Sequence, residues 1–297
     1  MQHALVFCAP DKRSYHAAMM GFGTIVAAAG AQAPRVLGPW EAAEWALPEA
    51  LNPGALELVQ AVAEDAGVDY AHLPAEGRRK RLLIADMDST IIGCECLDEL
   101  ADYAGKRAEI SAITDRAMRG ELDFEGALIA RVGMLKGLSA EALSACFEAR
   151  VRLNPGAQTL VATMRAHGAR AVLVSGGFTY FSARVATLAG FDAHRANTLA
   201  VDNGALTGEV GRPILGREAK LAALEEEAAA LGVTAARALA LGDGANDLAM
   251  IQAAGLGVAY SAKPIVAAQA HARIDHTSLE TVLFYQGYAR AEFASGL

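Results

Sequence analysis

Three short segments hold most of the residues in this chain that could do chemistry: Asp86-Met87-Asp88-Ser89-Thr90, Ser175-Gly176-Gly177 and Gly242-Asp243-Gly244-Ala245-Asn246-Asp247. Asp86 and Asp88 stand two residues apart, so in extended backbone their carboxylates point to the same side. Close carboxylates repel, and are tolerated where a cation or a proton lies between them. With Asp243 or Asp247 added, the donors suit Mg2+, which keeps several waters and takes one or two carboxylates plus substrate phosphate. An ionised aspartate needs no base to act as a nucleophile near neutral pH. Its obstacle is repulsion from a phosphate dianion, which a divalent cation and a lysine would relieve. One acid at a strand end is as readily a turn former. Three such segments together weaken that bland alternative.

Each segment follows an apolar run of strand type: Arg81 to Ala85, Ala169 to Ser175 and Arg237 to Leu241. Continuous apolar runs of this length suit strands buried on both faces of a parallel sheet. In open α/β sheets the site lies outside the carboxyl ends of the strands, where these polar segments would fall. Gly255 to Ala259 and Ala272 to Asp275 offer two more strands, and helices are expected from Thr179 and over Glu218 to Leu231. Residues 196–210 predict a hairpin about Asp202-Asn203-Gly204. Between the first and second runs, about Leu97 to Arg152 reads as a helical insert.

The first part of the chain has a different pattern. His3 to Cys8 predicts a strand, Ser14 to Ala29 a helix capped by the serine, and Pro34 to Gly38 and Glu41 to Leu47 two short strands. Pro53 opens a helix through Ala66 and Asp69 to Leu73 closes the set, a βαββαβ order of the ferredoxin-like kind. The expected division is a small α+β domain over 1–76, a core over 77–93 and 153–297, and a helical cap over 94–152.

The bulk composition narrows the function classes. The 297 residues are 53% hydrophobic and 20% charged, with a formal charge of −8. An acidic chain without basic clusters is a poor partner for nucleic acid or an anionic membrane. The run Arg78-Arg79-Lys80-Arg81 is the exception, read as a linker or solvated strand entry ahead of the first core strand, in preference to a nucleic-acid patch. No leader pattern is seen at the start, and the Ala- and Gly-rich stretch 17–33 falls short of a spanning helix. Cys8, Cys94, Cys96 and Cys146 lack the paired spacing of a zinc site, so buried thiols in a reducing, cytoplasmic setting are expected.

The three segments, in order on successive strand ends, resemble the haloacid-dehalogenase-like phosphatases, and most closely those members that act on O-phosphoserine. The likeness runs from about Arg81 to Gly287. It implies a Rossmann-like parallel sheet with a helical cap, and an enzyme that passes phosphate to Asp86 and then to water. Asp88 would be the general acid and base. Mg2+ would be held by Asp86, the Asp88 backbone carbonyl and Asp243, with Asp247 and Asn246 supporting the metal loop and substrate. Ser175 and the Gly176 N–H would hold phosphoryl oxygens, and Lys220 would add a compact positive charge. In the cap, Glu95 would meet the substrate ammonium and Arg131 its carboxylate, with Met118 and Phe124 as an apolar wall.

The plainer alternatives stand beside these. Glu95 could cap the helix near Leu97, Arg131 could pair with a surface acid, Lys220 could be an exposed helix lysine, and Met118 and Phe124 could be core. The first domain resembles amino-acid-sensing domains only in element order; dimerisation or simple packing would explain it equally well. Transfer of phosphate to another alcohol such as homoserine, or a sensor without catalysis, are the competing functions. An ion-pumping ATPase is set aside for want of membrane helices.

Overall fold

His3-Ala-Leu-Val-Phe-Cys8 opens the computed structural model as β1 (His3–Cys8). Residues 2–118 and 121–295 are described, the side chains of Asp115, Ala117 and Met118 excepted. Next come α1 (Lys12–Ala28), β2 (Arg35–Gly38), β3 (Ala42–Leu47), α2 (Pro53–Ala66) and β4 (Asp69–Pro74). The strands form an antiparallel sheet in the order β2-β3-β1-β4, and the expected βαββαβ order is found. The cap of α1 differs from expectation. Asp11 is the N-cap, and its carboxylate accepts the Ser14 amide at 2.8 Å. An aspartate three residues upstream satisfies an orphan amide as well as a serine would. For α2, Asn52 accepts the Ala55 amide at 2.9 Å and Pro53 occupies the first turn.

This first sheet is covered on both faces. Leu5 and Phe7 pack among Tyr15, Phe22, Trp45 and Val59. Ala4, Val6 and Cys8, on the opposite face, join a core that includes Leu283, Phe284 and Tyr285 from near the end of the chain. The sheet is a middle layer. Polar ties reinforce the junction. Asp69, buried, accepts the amides of Asp275 at 2.7 Å and Thr277 at 2.9 Å and the Thr277 hydroxyl at 2.6 Å. The basic run is solvated only in part, with Arg79 and Arg81 exposed, Arg78 half-buried and Lys80 buried. Arg78 pairs with Glu44 at 2.8 Å and Arg79 with Glu292 at 2.8 Å, and the buried Lys80 donates to the Ala236 carbonyl at 3.0 Å. Two acids and a backbone carbonyl distant in sequence meet these cations, which local charge counting cannot reveal.

The second sheet holds the functional segments. Its strands are β5 (Leu82–Ala85), β6 (Arg170–Phe178), β7 (Ala193–Asn197), β10 (Ala238–Gly242), β11 (Leu256–Tyr260) and β12 (Ala272–Ile274). All are parallel, in the order β12-β11-β10-β5-β6-β7. Leu82, Leu83, Ile84 and Ala85 are fully buried, and each large apolar side chain so buried contributes roughly 1.5–3 kcal/mol. Register then fixes the site: Ala85 lies opposite Leu241 on one side and Leu173 on the other. Asp86, Gly242-Asp243 and Ser175 therefore leave the sheet at one edge.

Four helices, α3 (Cys96–Tyr103), α4 (Arg107–Met118), α5 (Phe124–Gly133) and α6 (Glu141–Arg150), make the insert after β5. The remaining helices are α7 (Ala157–Ala166), α8 (Thr179–Ala189), α9 (Arg217–Ala230), α10 (Leu248–Ala253), α11 (Pro264–Ala267) and α12 (Thr281–Tyr285). The hairpin is β8 (Leu199–Asp202) and β9 (Ala205–Val210), turning through Asn203 and Gly204, both at positive φ (48° and 78°). Residues 193–197, by contrast, belong to the parallel sheet. The hairpin also braces the insert: the Gly137 amide donates to the Leu206 carbonyl and the Leu206 amide to Leu138, each at 2.8 Å. No described helix is long and apolar enough to cross a membrane.

Candidate active site

Asp86 follows the last residue of β5, and the chain then turns sharply, the Ile92 amide donating back to the Met87 carbonyl at 3.0 Å. Asp86 Oδ1 accepts the Met87 amide at 2.7 Å and Lys220 Nζ at 2.8 Å. Lys220 Nζ also donates to Asp247 Oδ1 at 2.6 Å. Lys220 is buried in α9, only 2% exposed, so the exposed-lysine alternative fails. Asp247 Oδ2 accepts the amides of Asp243 at 3.2 Å and Gly244 at 3.0 Å, tying the loop after β10 to the lysine. Gly242 permits this approach, since a Cβ there would lie 2.4 Å from Asp247 Cγ.

Asp88 is held separately. Its Oδ1 accepts the Cys96 amide at 2.9 Å and its Oδ2 the Ser175 hydroxyl at 3.2 Å. Ser175 Oγ in turn accepts the Gly177 amide at 2.8 Å. A side chain on Gly177 would meet Asp88 Oδ2 at 2.9 Å, so the second segment needs a glycine for close approach. Burial, then Glu95, raises the Asp88 carboxyl to about 6. Burial and then Asp247 raise Asp243 to about 6. Asp86 is pushed well above the usual carboxylate range by burial and by Asp247, against the pull of Lys220. Burial would lower Lys220, but Asp247 and Asp86 outweigh it and hold the ammonium charged.

Oxygen atoms of Asp86, Asp243 and Asp247 lie within 4.8 Å of one another. Three carboxylates around one lysine leave net negative charge, and an all-oxygen set suits a hard divalent cation. Both oxygens of Asp247 are engaged, so Asp86 and Asp243 are the free donors and Asp247 the brace. The carboxylate of Asp88 lies outside this group.

A cavity of about 520 Å³ opens over these groups, lined by Asp86, Asp88, Ser175, Gly176, Asp243 and Asn246 from the sheet side, and by Glu95, Phe124 and Arg131 from the insert. Glu95 makes no side-chain cap to α3; it accepts the Ser89 hydroxyl at 2.6 Å. Arg131 makes no salt bridge among the described residues, donating to the Ala127 carbonyl at 3.3 Å and the Thr114 hydroxyl at 3.5 Å. Burial lowers its pKa, with Asp98 and Glu95 pulling the other way. Phe124 is 37% exposed and lies over Gly176; it is cavity wall and not core. The side chain of Met118 lies outside the described residues.

Sequence reasoning assigned no role to Thr90, whose hydroxyl donates to Asp243 Oδ1 at 3.0 Å. It also missed the buried Asn197, which donates to the Gly176 carbonyl at 2.9 Å and accepts the Leu215 amide at 2.7 Å. An asparagine ending a parallel strand was the available signal, lost when 196–201 was read as a hairpin arm.

The fold and site define an α/β protein that gathers its acids at the carboxyl edge of a parallel sheet beneath a helical insert. The family model for haloacid dehalogenase-like hydrolases matches residues 83–252, and the chain belongs to that family. Among its relatives is a phosphoserine phosphatase of Polaromonas sp., 46% identical over 68% of this chain and 88% of the relative. Another, of Streptomyces coelicolor, is 45% identical over 76% of this chain but only 55% of that longer protein. A solved HAD family hydrolase from Salmonella enterica serovar Typhi has a TM-score of 0.86 at 30% identity, covering 96% of this chain and 98% of its own.

Proposed function

We propose that the chain hydrolyses O-phospho-L-serine to L-serine and phosphate through an aspartyl-phosphate on Asp86, with Mg2+, as the last step of serine synthesis in the cytoplasm. The observation that carries this is convergence: acids from two strand ends and a cap acid and arginine border one cavity, with the buried Lys220 paired to Asp86. Asp86 attacks phosphorus, and Asp88 in its protonated form gives its proton to the departing serine oxygen. Its raised pKa favours that form as substrate arrives. Asp88, now ionised, takes a proton from the water that attacks the acyl-phosphate, releasing phosphate and restoring both acids. Ser175 and the Gly176 N–H hold phosphoryl oxygens, and Lys220 offsets charge on Asp86. Asp86, Asp243 and the Asp88 carbonyl would hold Mg2+, which supplies neutralising charge when bound; Asn246 and Asp247 support that loop and the substrate.

Glu95 and Arg131 give the substrate reading. A positive and a negative group on one wall match an amino acid's ammonium and carboxylate, and a plain phosphate ester would leave both unpaired. Two relatives named phosphoserine phosphatase support the same choice. In this reading residues 94–152 are the cap, 77–93 and 153–297 the catalytic core, and 1–76 a packing domain. The test is phosphate release from O-phosphoserine with Mg2+, with and without homoserine. Release unaffected by homoserine is expected. No release would overturn catalysis, and O-phosphohomoserine in excess of free phosphate would make the chain a phosphotransferase.

A further inference from the structure

Cys94 and Cys96 flank Glu95 at the start of the insert, and the proposed chemistry uses neither thiol. Cys96 is buried and Cys94 is partly exposed. Glu95 between them is extended (φ −94°, ψ 107°), so the two side chains point to the same side, and the neighbouring thiol lowers the pKa of Cys94 and raises that of Cys96. Cys94 Sγ lies 3.8 Å from the Arg150 carbonyl at the end of α6, while the Cys96 amide donates to Asp88 Oδ1 at 2.9 Å. An accessible thiol beside a buried one, which is joined through its backbone to the general acid, is the arrangement of a reversible oxidation site.

We propose that Cys94 and Cys96 form a disulfide on exposure to hydrogen peroxide, switching off the site proposed above. The Cys94 sulfur attacks one peroxide oxygen, the O–O bond breaks, and water leaves once protonated, giving a sulfenic acid at Cys94. The Cys96 sulfur then attacks Cys94 sulfur and displaces hydroxide, which takes the Cys96 proton and leaves as the second water. Two electrons pass from the thiols to the peroxide. A bond between residues two apart requires the backbone to tighten at Glu95, because a disulfide holds its Cα atoms at about 4.4–6.8 Å with a fixed dihedral. That tightening shifts Glu95 and the Cys96 amide together, so it withdraws the ammonium contact and loosens Asp88. A strained disulfide is readily reduced, which makes the change reversible.

The proposal rests on the phosphatase reading for its effect on turnover, but not for its chemistry, so the test has two readouts. Intact enzyme is treated with hydrogen peroxide, then followed by peptide mass spectrometry and by phosphate release from O-phosphoserine. Expected are a loss of two mass units in the peptide carrying residues 94 and 96, a parallel loss of activity of about tenfold or more, and recovery of both with dithiothreitol. Cys94→Ser should keep the untreated activity and resist peroxide, whereas Cys146→Ser should behave as wild type. A disulfide to Cys146, inactivation of Cys94→Ser at the wild-type rate, or an unbridged 94–96 peptide in inactivated enzyme would each overturn it. An enzyme inactive before treatment, yet bridged after it, would instead remove the phosphatase reading and leave the oxidation site standing.

Discussion

Two buried groups of carboxylates in this molecule are satisfied in opposite ways. At the junction of the two sheets, Asp69 accepts only neutral donors: the amides of Asp275, His276 and Thr277 and the Thr277 hydroxyl. At the edge of the parallel sheet, Asp86, Asp243 and Asp247 crowd within 4.8 Å and have one lysine among them. The first arrangement is saturated and needs nothing more. The second carries unspent negative charge in a cavity, a condition that structural need alone would not select. Satisfied carboxylates hold a fold together; crowded ones await a ligand.

The sharpest test of the contrast is one substitution in each group. Asp86→Asn should abolish turnover of O-phosphoserine by more than about 10⁴-fold, as expected for loss of a nucleophile, with an unchanged circular dichroism spectrum and no acid-stable phosphoryl adduct. Retained turnover would place the crowded group outside the chemistry. Asp69→Asn should do the reverse. Replacing a carboxylate that accepts several hydrogen bonds is expected to lose about 3 kcal/mol and lower Tm by roughly 6–12 °C, while turnover per folded molecule at 25 °C stays at the wild-type level. A melting temperature unchanged by that variant would mean the junction gains nothing from its acid.

A third prediction concerns the cap side of the cavity. Arg131→Ala should reduce kcat/KM for O-phosphoserine by about 10²-fold, through loss of a charged pair, and leave a simple alkyl phosphate within a few-fold of wild type. Equal losses on both substrates would assign Arg131 to holding α4 and α5 together through Thr114.

The same contrast explains what could be read from the residues in order. The crowded site was legible because its acids end apolar strands, and a sheet in parallel register brings strand ends together whatever lies between them. Lys220 was less so: nothing in Arg217-Glu-Ala-Lys220 marks it as buried, and only the acids it meets, far away in sequence, make it so. The junction around Asp69 was not legible at all. Its partners are three backbone amides and one hydroxyl some two hundred residues on, and amides carry no residue-type signal. The cover over Ala4, Val6 and Cys8 of β1 likewise comes from residues near 283–285, far along the chain. Arg78 and Lys80 looked solvated for the same reason, since their partners are long-range.

The smallest expected effect is also the most discriminating, because it asks whether crowding itself destabilises. Asp243 has its pKa raised to about 6 by burial and by Asp247, so folding favours its protonated form. The sign follows: its charge opposes folding above pH 6, and the penalty fades as pH falls toward the unfolded value of about 3.9. Asp243→Asn in the presence of a chelator should therefore be more stable than wild type at pH 7.5, by about 1–2 kcal/mol, or roughly 3–6 °C in Tm. At pH 4.5 the gain should largely vanish. Added Mg2+ should raise the wild-type Tm and leave the variant's almost unmoved, because one of its two free donors is gone. A variant less stable than wild type at pH 7.5 without metal would show that Thr90 and the loop satisfy Asp243 as fully as Asp69 is satisfied, and the distinction between the two groups would collapse.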